Sequence, residues 1–249
     1  MININNAKKC YGKVAIGPID IKLAKAGLTA LIGPNGAGKS TTLLMIGRLL
    51  DIDEGSITVA NLDVTSAKSE DLAKILTILR QENHFVTRLT VRQLVGFGRF
   101  PYSKGRLTKA DEAIISKYID FLDLTDLENR YLDELSGGQR QRAYVAMVLT
   151  QETEYVLLDE PLNNLDVARS VQMMKHLQMA ATKFGRTIVV VLHDINFAAK
   201  YSDQICAMKD GQIAAFGTVA EIMDEHLLTD IFETKIEIIE GPHGPIAVY

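Results

Sequence analysis

Nine consecutive residues, Gly33-Pro34-Asn35-Gly36-Ala37-Gly38-Lys39-Ser40-Thr41, restrict this chain more than any others. Their spacing is that of a phosphate-binding loop. Glycines let successive backbone N–H groups curl around phosphate oxygens where a Cβ would obstruct them. The N-terminus of a following helix adds partial positive charge. Lys39 is placed to reach β- and γ-phosphates, and the Ser40 hydroxyl to meet Mg²⁺. Such a loop works only between a strand and a helix. Here a short apolar run at 28–32 precedes it and a helical pattern over about 39–50 follows, ended by Asp53-Glu54-Gly55. A chance match in a chain of this length arises about one time in a hundred, and the strand and helix context lowers that further.

The remaining pattern alternates in the same way. Strands are predicted at 56–60, 155–158 and 187–191, and helices at about 167–184 and 195–201. Asp210-Gly211 between apolar segments reads as a two-residue hairpin turn. Thr218-Val219-Ala220-Glu221 has the form of a capping box that opens a terminal helix. This alternation predicts an α/β fold with a mostly parallel sheet covered by helices. Between about 82 and 151 the strand signals stop. Capping signals at Thr90 and Thr108 point to helices there, and Phe100-Pro101-Tyr102-Ser103 reads as a loop breaker. The organisation expected is one domain over 1–249, with an α/β core of about 1–81 and 152–249 and a helical subdomain of about 82–151. Residues 236–239 and 246–248 are expected to pair as strands around Gly241-Pro242-His243-Gly244-Pro245, with His243 a loop residue.

Composition excludes several alternatives. The 249 residues carry 27 Lys and Arg against 31 Asp and Glu, a formal net charge of −4. That argues against broad nucleic-acid binding, which needs excess basic charge to displace counterions. The apolar run at 188–192 is far short of the ~20 residues of a spanning helix. The first nine residues lack the apolar centre of a secretion signal. Any membrane involvement is expected to come through a partner. Cys10 and Cys206 have no metal-like spacing and suit a reducing compartment.

Two further motifs complement the loop. Tyr155-Val156-Leu157-Leu158-Asp159-Glu160-Pro161 is an apolar strand ending in two carboxylates. Alternation along a strand would send Asp159 toward Mg²⁺ and Glu160 toward an attacking water. Leu135-Ser136-Gly137-Gly138-Gln139 leads into a helical run over 140–149, a second helix N-terminus stripped of side chains and suited to phosphate.

Taken in order, these motifs resemble the ATP-binding cassette (ABC) ATPases over nearly the whole chain. The fold that resemblance implies is a P-loop NTPase cassette: a mostly parallel sheet core, antiparallel β elements and an inserted helical subdomain. It also implies ATP and Mg²⁺ as cofactors and a homodimer of cassettes that sandwiches two ATPs head to tail. Ser136, Gly137, Gly138 and Gln139 would then contact ATP in trans, and Asp166 would lie in the D-loop. Gln81 would join Ser40 and Asp159 around Mg²⁺. Glu160 would be the general base, His193 would read the γ-phosphate, Lys39 would act on the phosphates, and Tyr11 would stack on adenine. Asn163 departs from the serine of many relatives, which bears on coupling between the two sites.

A narrower resemblance rests on Phe97-Gly98-Arg99-Phe100-Pro101-Tyr102-Ser103, Gly105-Arg106-Leu107-Thr108, Pro161-Leu162-Asn163-Asn164-Leu165-Asp166 and His193-Asp194-Ile195-Asn196-Phe197-Ala198. These are similar to ATPases of ferric-siderophore importers of the petrobactin or catecholate type. That kinship implies transmembrane permease subunits, an extracytoplasmic siderophore-binding protein reached through the permease, and a peripheral place at the cytoplasmic face of the cell membrane. The alternative is a haem or cobalamin importer. A soluble ABC protein acting on nucleic acid or ribosomes ranks below both, since one phosphate loop, no heptad stretch and net negative charge argue against it. A phosphate-loop kinase leaves residues 135–139 unexplained.

Overall fold

The computed structural model describes residues 1–81, 88–163, 165–242 and 244–249. Asn164 and His243, and residues 82–87 where the sequence places the start of the helical insert, lie outside the described residues.

The strands are β1 (Ile2–Tyr11), β2 (Val14–Leu23), β3 (Gly27–Ile32), β4 (Glu54–Val59), β5 (Leu62–Asp63), β6 (Leu76–Leu79), β7 (Tyr155–Leu158), β8 (Thr187–Val191), β9 (Gln204–Lys209), β10 (Gln212–Thr218), β11 (Glu237–Gly241) and β12 (Gly244–Val248). The helices are α1 (Lys39–Ile46), α2 (Ser69–Ala73), α3 (Val91–Gly96), α4 (Phe100–Ser103), α5 (Lys109–Phe121), α6 (Gly137–Thr150), α7 (Val167–Lys183), α8 (Ile195–Tyr201), α9 (Val219–Ile222) and α10 (Glu225–Phe232).

Six strands form the central sheet in the order β10-β9-β3-β8-β7-β6. Within it β9, β3, β8, β7 and β6 run parallel, and β10 turns back on β9 through Asp210-Gly211. The parallel strands are buried on both faces, which is why they read as unbroken apolar runs. Alternate residues supply two cores. Val156, Leu158, Ile188 and Val190 enter one with α5, α6, α7 and α8. Tyr155, Leu157, Val189 and Val191 enter the other, whose far wall is a four-stranded antiparallel sheet of order β2-β1-β4-β5. Among the described residues from 88 to 151 no strand forms, and an isolated bridge joins Thr90 to Tyr131.

Several local expectations shift. The helix after the loop stops at Ile46, with Gly47 as its C-cap and Arg48 at φ +55°, so Glu54-Gly55 opens β4 instead of ending a helix. Helix α6 starts at Gly137, earlier than expected, because the Ser136 hydroxyl accepts from the Gln139 N–H and caps it. The Thr218 box opens only the single turn α9; the chain bends at Met223, and Asp224 caps α10 separately. Phe100-Pro101-Tyr102-Ser103 is a helical turn, since Pro101 sits in its first turn where no backbone donor is missed. The hairpin β1–β2 has no counterpart in the predicted strands. Its signal is present in β2, where buried Ile19, Ile21 and Leu23 alternate with exposed Asp20 and Lys22. In β1 register shifts around Asn5 and Asn6 break the alternation. The pairing of β11 with β12 matches expectation.

One buried ion pair stiffens the helical region. Arg99 Nε donates to Asp111 Oδ1 at 2.9 Å and Arg99 Nη1 to the Thr150 carbonyl at 3.0 Å. The Arg99 guanidinium also lies 4.2 Å from the Tyr102 ring centroid. The pair therefore fastens the start of α5 to the end of α6. Hydrogen bonds from Thr108, then from Arg99, hold the Asp111 carboxyl down at about 2. Because this lies below the usual carboxylate value, its contribution is complete above about pH 4 and disappears as pH falls through 2. Arg99→Ala takes the cation from a buried carboxylate and is expected to cost about 3 kcal/mol in urea unfolding. Asp111→Asn should flatten the loss of melting temperature between pH 4 and 2.

Candidate functional site

Four neighbouring parallel strands deliver the predicted residues to one edge of the sheet. The glycine-rich loop follows β3, His193 follows β8, Asp159 and Glu160 follow β7, and Gln81 follows β6. The carboxyl ends of parallel strands are where open α/β sheets hold ligands. The register keeps these ends level, with Leu31 beside Val191, Val190 beside Leu158, and Leu158 beside Leu79.

The loop's shape rests on its glycines. At Gly33, φ is +144° and a Cβ would stand 2.1 Å from the Met208 carbonyl oxygen, so no other residue fits without moving β9. Lys39 curls back over the loop, its Nζ donating to the Gly33 carbonyl at 2.7 Å and the Pro34 carbonyl at 2.9 Å. Burial pushes its ammonium below the usual lysine value, against the pull of Glu160 and Asp159. Ser40 Oγ donates to Asp159 Oδ1 at 2.8 Å. Asp159 is 3% exposed, and burial raises its carboxyl above the usual range despite that bond.

Glu160 is the meeting point. Gln81 Nε2 donates to its Oε2 at 2.7 Å, His193 Nε2 stands 2.8 Å from its Oε1, and Asn163 Nδ2 donates to Oε2. The strand-alternation account of its direction does not hold. β7 ends at Leu158; Asp159 stays tethered through its N–H to the Leu79 carbonyl, while Glu160 adopts φ +50° just before Pro161. A left-handed turn, not the pleat, aims the carboxylate. Its contacts with Gln81 and Asn163 also go beyond what the motifs indicate, since those motifs carry no sign of a side-chain network.

Tyr11, Asn35, Gly36, Gly38, Lys39, Ser40, Thr41 and Glu160 line a cavity of about 410 Å³ together with Val14 and Ile16. Tyr11 reaches it from the tight β1–β2 turn, half exposed. Ser136, Gly137, Gly138 and Gln139 do not line this cavity. They open α6, where the Ser136 backbone N–H donates to Gln139 Oε1 at 2.9 Å. Asp166 caps α7 by accepting from the Arg169 N–H at 2.8 Å.

The ABC transporter family profile matches residues 16–163. This chain belongs to that family. The cassette is 83% identical to the petrobactin import ATP-binding protein FatE of Bacillus anthracis, covering 100% of both chains. It is 45% identical to the petrobactin import ATP-binding protein YclP of Bacillus subtilis (strain 168), over 100% of this chain and 99% of that protein. Its fold superposes with TM-score 0.78 and 26% identity on the dimeric post-hydrolysis cassette MJ0796 bound to ADP and Pi, covering 88% of this chain and 99% of that one. The cassette is an ATPase, and importer cassettes of this family work as dimers with transmembrane permease partners. No helix among its described residues is long and apolar enough to cross a membrane.

Lys39→Ala removes the cation nearest the loop. It is expected to weaken nucleotide binding by about 1.5–3 kcal/mol, roughly ten- to a hundred-fold, in a fluorescent-nucleotide titration.

Proposed function

We propose that this cassette energises import of an iron-siderophore of the petrobactin class, paired with a second copy against a membrane-spanning permease. Its full-length 83% identity to a petrobactin import ATP-binding protein carries this reading. A siderophore-binding protein outside the membrane would hand cargo to the permease, and the cassette pair would sit peripherally at the cytoplasmic face. The described helices between residues 88 and 151 would receive the permease. A groove of about 530 Å³ there, lined by Leu89, Phe97, Phe100, Leu107 and Ile115, offers an apolar seat.

The chemistry assigns itself around Glu160. Lys39 would turn from the Gly33 and Pro34 carbonyls to the β- and γ-phosphates, with backbone N–H groups of residues 33–41 around the same oxygens. The aromatic face of Tyr11 would stack on adenine. The Glu160 carboxylate would take a proton from the attacking water, held in place by Gln81, Asn163 and His193. His193 would also contact the γ-phosphate. Ser40, Asp159 and the Gln81 side-chain carbonyl are hard oxygen donors of the kind Mg²⁺ takes, and the 2.8 Å Ser40–Asp159 contact already brings two of them together. Held by these residues, Mg²⁺ would supply positive charge that offsets the charge of the phosphates. Ser136, Gly137, Gly138 and Gln139 would meet the γ-phosphate on the other copy, with Asp166 at the seam. ATP closes the pair only through contacts made in the closed state, and those trans contacts provide them.

Glu160→Gln is expected to abolish turnover while leaving ATP bound and the pair closed. Steady-state phosphate release together with light scattering in ATP checks both halves, and retained hydrolysis would remove Glu160 as the base. For cargo, the cassette should restore uptake of radiolabelled ferric petrobactin in a strain lacking its own petrobactin-import ATPase. Restored haem or cobalamin uptake without ferric petrobactin uptake would move the assignment to that alternative.

A further inference from the structure

The motif His193-Asp194-Ile195-Asn196 puts two structural demands on one short helix. At its start, His193 lies 2.8 Å from Glu160, and the Asp194 carboxylate caps α8 by accepting from the Phe197 N–H at 2.9 Å. Three residues after His193, the Asn196 side chain engages the C-terminal hairpin. Its Nδ2 donates to the Ala247 carbonyl at 3.0 Å, and its Oδ1 accepts from the Ala247 N–H at 2.8 Å. In an antiparallel pair, alternate residues turn both main-chain groups away from the partner strand. Ala247, opposite Ile238, is such a residue, and Asn196 takes both of its groups as a neighbouring strand would. Apolar packing surrounds the clamp: Ile195, Ala198 and Tyr201 share a core with Ile231, Ile236 and Ala247.

We infer that the C-terminal hairpin, β11 with β12, positions His193 against Glu160, and that Asn196 is the residue through which it does so. Asn196 touches no substrate; it is a positioning residue. The physical case is one of rigidity. A helix of two turns anchored only at its N-cap frays and rocks. A two-bond amide clamp in its first turn fixes its rotation, and with it the direction in which His193 leaves β8. The hairpin is thus tied to hydrolysis, although none of its described residues lines the nucleotide cavity. The inference rests on the proposed role of His193 beside Glu160.

A double-mutant cycle on the full chain, with rates measured across a range of Mg-ATP concentrations, tests it. Asn196→Ala should lower kcat about five-fold with KM for ATP changed less than two-fold, since the loss falls on the hydrolytic step. Asn196→Asp, which keeps the acceptor for the Ala247 N–H, should fall between. His193→Ala combined with Asn196→Ala should be no slower than His193→Ala alone. Thr229→Val serves as the structural control, because the Thr229 hydroxyl, on α10 and not on α8, accepts from the Ile236 N–H at 3.0 Å at the base of the hairpin. It should lower melting temperature and leave kcat unchanged. Wild-type turnover in Asn196→Ala, or losses that multiply in the double variant, would overturn the inference. Wild-type turnover in His193→Ala would instead overturn the underlying reading of His193, and the inference with it. Should Asn196→Ala not accumulate as folded protein, Asn196→Asp takes its place in the same cycle.

Discussion

The Glu160 carboxylate is gripped from three directions: by an amide beyond β6, an imidazole beyond β8, and the Asn163 amide in the turn that follows Glu160 itself. Its side chain is only 10% exposed, so solvent does little to orient it and these partners do most. Such a carboxylate is accurate in position but expensive to hold, because its backbone stays at φ +50°, a region that non-glycine residues enter at some cost. The surroundings that enforce it are the level ends of β6, β7 and β8. Any slip in the register of those strands would move at least one of the three partners out of reach. The central sheet is therefore part of the site and does more than support it.

Much of this was legible in the residues. The loop from Gly33 to Thr41 and the apolar run into Asp159 encode local demands, and local demands survive in sequence. The doubly buried strands β3, β7 and β8 announce themselves because both faces must be apolar. What escaped was less local. Strand β1 lost its alternation where Asn6 turns to φ +47° and accepts no partner in register. The wall it forms with β2 is thus visible only from the cleaner pattern of β2. The direction of Glu160 escaped for the same reason. Alternation is a rule for residues inside a strand, and Glu160 lies two residues past the end of one. The clamp of Asn196 on Ala247 spans 51 residues of chain, and no spacing rule reaches that far.

The charges in the site also pull against their surroundings in a consistent way. Burial favours the neutral form of Lys39 and the neutral form of Asp159 at once. Each is restrained by the other's charge and by hydrogen bonds, Lys39 to two carbonyls and Asp159 to Ser40. Groups desolvated to this degree interact strongly with any charge brought among them, since the screening of bulk water is reduced. A polyphosphate entering the cavity would satisfy Lys39, and a divalent cation would satisfy Asp159, so the two would stabilise each other's binding.

Gly138 brings the start of α6 against Leu165, a few residues after Glu160. A Cβ there would stand 3.0 Å from Leu165 Cδ2, so the glycine that leaves the start of α6 bare also lets that helix pack against the residue before Asp166. The two segments assigned to the seam between copies therefore touch within one chain. A displacement of Leu165 would press directly on the first turn of α6. On the proposed trans arrangement, two close contacts would join the carboxylate to the start of α6: Asn163 with Glu160, and Leu165 with Gly138. The Asn163 side chain reaches Glu160 itself, and so ties that residue to the carboxylate by a hydrogen bond and not by packing alone.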